Sequence, residues 1–176
     1  MEEIEFLAEA AMIALNRAPG LNRSFGAERW GCVPPEVWKN ARQEARDGEF
    51  RGNYRILGTD NDPGAIAIAI SNAKRAGVAG CIDFHEADAL RQSLPCDQGV
   101  IVCNPPYGER LLEREEAGEL YRAFGRAMDK LPDSWKVYVL SSHPDFERCY
   151  GKFADKKRKL YNGMLKCDLF MYGKRL

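Results

Sequence analysis

Gly99-Val100-Ile101-Val102-Cys103 is an unbroken apolar run, and Asn104-Pro105-Pro106-Tyr107-Gly108 follows it at once. A run this short and this apolar fits a strand buried on both faces, the central position of a parallel sheet. Its surroundings alternate in the matching sense. Residues 55–59 read as a short strand, Pro63–Ala76 as a helix with Ile66, Ile68 and Ile70 on an Ala-rich background, and Ile82–Glu86 as a second strand leading to Asp88. After the apolar run come a helix over 111–130, acidic at its start as suits the positive end of a helix, a strand over 135–140, and a short helix from Phe146 to Tyr150. Ahead of these, residues 2–16 predict a helix stopped by Pro19-Gly20. A polar, aromatic loop over 21–32 follows, then a helix starting at Pro34 or Pro35 and running to Gly48. The tail predicts two strands, 158–161 and Leu165–Tyr172, around the hairpin signal Asn162-Gly163. Strands alternating with helices imply an α/β fold: a mostly parallel sheet, helices on both faces, and a C-terminal antiparallel hairpin.

The 176 residues suit a single domain, 1–176, large enough to bury a core unaided. Lys plus Arg and Asp plus Glu both number 26, so the net charge is zero. That excludes a general nucleic-acid glue and leaves room for a local basic face. No apolar run approaches the ~20 residues that cross a membrane. The acidic start MEEIEFLAEA lacks the basic residues of a secretory signal, so the expected location is cytoplasmic, with no membrane partner. None of the six cysteines forms a C-x-x-C pair, and His85 and His143 are the only histidines. The expectation is no metal and free, buried thiols, with Cys103 and Cys167 inside apolar runs.

A doubly wound sheet binds ligands at the carboxyl ends of its strands, and three such ends carry chemistry. In Gly58-Thr59-Asp60-Asn61-Asp62-Pro63, Asp60 is placed to accept hydrogen bonds from ribose hydroxyls, while Asp62 caps the helix that starts at Pro63. Asp88, with Ala89 beside it, sits where a carboxylate accepts from an adenine amino group; alone it is also an ordinary turn residue. Asn104-Pro105-Pro106-Tyr107 is the sharpest signal. The prolines fix two φ angles and leave their carbonyls as acceptors; the Asn104 side-chain oxygen adds another. Rigid acceptors at a strand end can grip an exocyclic amine, which has two hydrogens to give. Tyr107 offers a flat face to a base that has left its stack. Elsewhere, Asn22, Arg23 and Phe25 either border the site or, for Phe25, fill core. His85 reads as structural, and Glu109 and Arg110 as a pair or a helix cap.

The segments NPPYGER, GTDNDP and KLYNGMLKC resemble class I, S-adenosylmethionine-dependent amino methyltransferases, which act on adenine N6 or guanine N2. AAMIALNRAPGLNRSFGAERW, NPPYGERL and KLYNGMLKCDLFMYG are more selective. They are similar to the THUMP-associated guanine-N2 methyltransferases of large-subunit ribosomal RNA, over nearly the whole chain. The resemblance implies a Rossmann-like methyltransferase fold, S-adenosylmethionine as cofactor and large-subunit ribosomal RNA as partner. It implies cofactor contacts from Asp60 (ribose), Asp88 and Ala89 (adenine) and Asn104, with Asn104, Pro105, Pro106 and Tyr107 holding the target base. Arg148, Lys152 and the run Lys156, Lys157, Arg158, Lys159, ahead of the tail hairpin, are either solvated surface or phosphate contacts for RNA near Tyr107. Two rivals remain: adenine-N6 transfer on DNA or RNA, with the same motif, and an inactive fragment or binding module. The family's catalytic domain follows an RNA-binding THUMP region and opens with a strand and a loop like Asp-Pro-x-Cys-Gly-Ser-Gly-Thr. Here the match starts near Phe6-Leu7, so that first, central strand is expected to be missing. The chain as written is then expected to bind cofactor weakly, with residues 3–16 staying helical rather than replacing the strand.

Overall fold

A computed structural model describes residues 5–50, 52, 54–91, 96–107 and 111–173. The chain divides into two compact units, Met1–Asp88 and Ala89–Leu176.

The first unit contains α1 (Glu5–Ala14), α2 (Pro35–Asp47), β1 (Ile56–Asp60), α3 (Pro63–Ala76) and β2 (Ile82–Glu86), with short 3-10 turns at Gly26–Arg29 and Ala79–Cys81. β1 and β2 pair in parallel, from Ile56 opposite Ile82 to Asp60 opposite Glu86. The core is built from small residues, Ala8 and Ala11 of α1 and Ala73 of α3, with Val78 and Ile82, and Leu7, Ile56 and Phe84 pack around it. Small side chains let the two helices approach closely. Gly58, the one buried residue of β1, has the same purpose: a Cβ there would stand 2.5 Å from Leu7 Cδ1. The α3 helix is bounded by local chemistry. The Asp62 side chain accepts from Gly64 N, Pro63 opens the first turn, and Gly77 closes the helix at φ 73°. Arg17, just past α1, donates to the carbonyls of Ala76 and Gly77 and forms a two-point pair with Glu49, Nε to Oε1 at 2.8 Å and Nη2 to Oε2 at 3.2 Å.

The second unit contains β3 (Gly99–Cys103), α4 (Leu111–Met128), β4 (Trp135–Ser141), α5 (Phe146–Tyr150), β5 (Lys156–Asn162) and β6 (Leu165–Tyr172). Its sheet runs β3-β4-β6-β5. The core is aromatic: Tyr121 and Phe124 of α4, Phe146 and Tyr150 of α5, and Phe170 and Tyr172 of β6, over Val137 and Val139 of β4. Ring centroids lie 4.4 Å apart for Phe146–Phe170 and 4.5 Å for Tyr150–Tyr172, within aromatic contact range. At Gly125 of α4 a Cβ would meet the Tyr150 carbonyl oxygen at 2.1 Å, so the end of α5 seats directly on the α4 backbone.

Several expectations are corrected. β3 is not buried on both faces: Val100 and Val102 are 55% and 66% exposed, while Ile101 and Cys103 pack on the core. The reason is that the unit's core lies on one face of its sheet, and strand alternation sends every second residue to the other. The C-terminal antiparallel hairpin is present as expected, but the second unit's sheet is mixed rather than mostly parallel. Among the described residues β1·β2 and β3·β4 are parallel, while β4·β6 and β5·β6 are antiparallel, because β6 inserts between β4 and the hairpin strand β5. The basic run does not precede the hairpin but forms its first strand. All six cysteines are free; Cys149 and Cys167 are buried and Cys103 partly so, whereas Cys32 and Cys96 are exposed. The first helix is helical as expected, over Glu5–Ala14.

Candidate functional site

Parallel pairing of β1 and β2 brings their carboxyl ends together, with Asp60 directly opposite Glu86 and its carbonyl accepting from Ala87 N at 2.9 Å. Asp60 Oδ1 accepts from Asp62 N at 2.8 Å, which orients the carboxylate. A carboxylate has about four acceptor sites, so Asp60 retains capacity for ligand hydroxyls. Asp62 spends its own Oδ1 on Gly64 N, 2.8 Å away, and is the cap that the sequence implies. Asp88 and Ala89 follow β2 and are exposed, Asp88 closing the first unit and Ala89 opening the second. Glu86 is a further carboxylate beside Asp60 that sequence reading did not single out; only the strand register reveals it.

In the second unit, Asn104, Pro105, Pro106 and Tyr107 follow β3 as one turn. Asn104, Pro105 and Tyr107 are half-buried and Pro106 is exposed. The Tyr107 hydroxyl donates to Asn104 Oδ1, so an acceptor expected to be open already holds a donor. No described residue donates to the Pro105 carbonyl. Pro106 is different: its carbonyl accepts from the Tyr121 hydroxyl at 2.6 Å. Tyr121 is fully buried, edge-on to His143 (5.4 Å) and Phe146 (4.9 Å). Burial pushes its phenol pKa up, which keeps it a donor. Ser141 Oγ stands 3.3 Å from the Tyr121 oxygen and accepts from His143 N at 3.1 Å. His143 Nδ1 accepts from Asp145 N at 3.1 Å. Sequence reading missed Tyr121, Ser141 and His143. The available signal was Ser141-Ser142-His143 at the end of a strand parallel to β3.

The basic run is split by strand alternation. Lys157 and Lys159 share a face with their partners Phe170 and Asp168; Lys156 and Arg158 point to the other. Lys157 Nζ lies 2.8 Å from Glu147 Oε2. Their pairing raises the Lys157 pKa; at Glu147, burial pushes the carboxyl up, but Lys157 and the Ala154 N–H outweigh it and the pKa falls. Phe25 packs on Trp38 of α2 at 6.0 Å, and its backbone N–H donates to Glu28, so it belongs to local packing. His85 is exposed, Arg148 stands 3.7 Å from Asp145, and Glu109 and Arg110 lie outside the described residues. Among the described residues no group of three or more His, Cys, Asp or Glu is placed to hold a metal, and no helix is long and apolar enough to cross a membrane.

YpsC of Bacillus subtilis, to which an RNA methyltransferase role is attributed, is 40% identical over 172 residues, covering 96% of this chain and 44% of its own length. The ribosomal RNA large subunit methyltransferase K/L of Shewanella baltica is 39% identical over 171 residues, covering 94% of this chain and 24% of its own. The chain thus spans less than half the length of these relatives. Among solved structures, a possible methylase from Clostridium difficile 630 matches with a TM-score of 0.90 at 43% identity, over 97% of this chain and 45% of that one. SMU.472, crystallised with SAH, matches at 0.89 and 38% identity, over 97% and 46%. A predicted N6-adenine-specific DNA methylase from Listeria monocytogenes matches at 0.86 and 43%, over 95% and 43%. The fold is a Rossmann-like methyltransferase fold with a mixed sheet and flanking helices. The UPF0020 family model, described as the RMKL-like methyltransferase domain, matches residues 5–170, and the chain belongs to that family.

Proposed function

We propose that residues 1–176 are a catalytic domain that transfers methyl from S-adenosylmethionine to the exocyclic N2 amine of a guanine in large-subunit ribosomal RNA. The observation that carries this reading is the Asn104–Tyr107 turn at the end of β3, pinned at Pro106 and closed by Tyr107 on Asn104. The K/L relatives name the substrate class, and the SAH bound to SMU.472 supports the cofactor.

The first unit's carboxylates fit an adenosyl group. Asp60 is oriented by Asp62 with acceptor capacity left for ribose hydroxyls, and exposed Asp88, with Ala89, suits adenine. S-adenosylmethionine supplies, when bound, an electrophilic methyl group on a good leaving group. Asn104 Oδ1 and the Pro105 carbonyl would accept the two hydrogens of the target amine, aim its lone pair and take up the positive charge that develops on nitrogen. Tyr107 would give up its hydrogen bond to Asn104 and lie against the base. Catalysis of this kind rests on positioning and electrostatics. Lys156 and Arg158, on one face of β5, would contact RNA phosphates; Lys159 lies on the other face with Lys157, which Glu147 already holds.

A second reading, adenine-N6 transfer, is favoured by the description of the Listeria relative. The deciding experiment incubates the protein at its full natural length with tritiated S-adenosylmethionine and either large-subunit RNA or adenine-containing DNA, then digests the product to nucleosides. Label in N2-methylguanosine is expected. Label in N6-methyladenine would move the reading to the rival, and label in neither would refute both.

A further inference from the structure

The Asn-Pro-Pro-Tyr turn has few torsions left to fix. Asn104 and Pro105 each precede a proline, which biases both toward extended backbone. The rings of Pro105 and Pro106 lock their own φ angles. The first torsion that the sequence leaves soft is ψ of Pro106, which aims the Pro106 carbonyl and sets where Tyr107 begins. That carbonyl is the one the buried Tyr121 hydroxyl holds, at 2.6 Å.

The hydrogen bonds run one way. His143 N donates to Ser141 Oγ at 3.1 Å, so the Ser141 hydroxyl proton is left for the Tyr121 oxygen 3.3 Å away, and Tyr121 donates onward to Pro106. The hydroxyls of Tyr121 and Ser141 are thereby satisfied, and both are buried, where an unmade bond is costly. The ring that carries the hydroxyl is held by His143 and Phe146.

We propose that Tyr121 is a positioning residue for methyl transfer: from α4 it fixes the Pro106 carbonyl and so the placement of Tyr107 and Asn104, in a chain that continues through Ser141 to the backbone of His143. Tyr121 is fully buried and acts through the turn. The inference rests on the functional reading above.

Tyr121→Phe tests it, because the ring and its contacts stay and one oxygen goes. In the protein at its full natural length, kcat for transfer to large-subunit RNA is expected to fall about 10- to 100-fold, the cost of a misplaced reacting group. KM for S-adenosylmethionine is expected to change less than about twofold, since the cofactor carboxylates are untouched. Ser141→Ala is expected to lose less, and Tyr121→Phe/Ser141→Ala no more than Tyr121→Phe alone, because both act along one chain. Wild-type kcat in folded Tyr121→Phe protein, whatever its melting temperature, would overturn the proposal while leaving the functional reading intact. Additive losses in the double variant would also overturn it, since they would mean general loosening. A wild type that methylates neither substrate would overturn both.

Discussion

Asn104 and Asp60 divide the work of the proposed reaction, and their substitutions should separate it. Asn104→Ala removes the acceptor that Tyr107 now occupies and that the target amine would take. Turnover is expected to fall about 100-fold or more, the scale of losing a group that acts on developing charge, with cofactor affinity nearly intact. A loss confined to cofactor binding would contradict that role. Asp60→Ala is expected to weaken S-adenosylmethionine binding by ~1–3 kcal/mol in a calorimetric titration of the protein at its full natural length. Unchanged affinity would move the ribose role to Glu86, its partner in the β1·β2 register, because Asp62 is spent on the α3 cap. Both residues were legible in sequence, since Asp60 closes β1 and Asn104 directly follows the apolar strand β3. Glu86 was not, because its value lies in facing Asp60 across two strands.

At the scale of elements, close backbone approach makes particular positions intolerant. Gly125→Ala puts a methyl where the Tyr150 carbonyl sits, so α5 must move off α4. A loss of about 1–3 kcal/mol in chemical denaturation is expected, although alanine is the better helix former. A variant as stable as the parent would show that α5 does not seat there in solution. In the first unit, Arg17 ties the end of α1 to the last carbonyls of α3 and to Glu49. The Arg17 hydrogen bond holds the Glu49 carboxyl below its ordinary range. A depressed folded pKa contributes stability in full above the unfolded value and loses it as pH falls through the folded one. Arg17→Met should therefore lower stability at neutral pH and flatten its fall on acidification below the ordinary carboxylate range, read by denaturation across pH. Equal slopes for parent and variant would dissociate Glu49 from Arg17.

For the whole molecule, β1 and β3 each keep one edge unpaired among the described residues. What the sequence determined by itself was everything carried by contiguous residues: the strand and helix order, the α3 caps, the Asn162-Gly163 hairpin, and the two strand-end motifs at Asp60 and Asn104. Those patterns encode local torsions and one buried face, so neighbouring residues suffice to read them. Tertiary structure alone decided the rest. It joined Tyr121 to Pro106 and Ser141, residues far apart in the chain that no local pattern links. It inserted β6 between β4 and β5, giving two antiparallel pairings where a mostly parallel sheet was expected. It left Val100 and Val102 exposed although their strand is apolar throughout, and it parted Lys157 and Lys159 from Lys156 and Arg158. A hydropathy pattern states which residues prefer burial. Which faces are covered, and which distant hydroxyl reaches a given carbonyl, depends on how the elements pack.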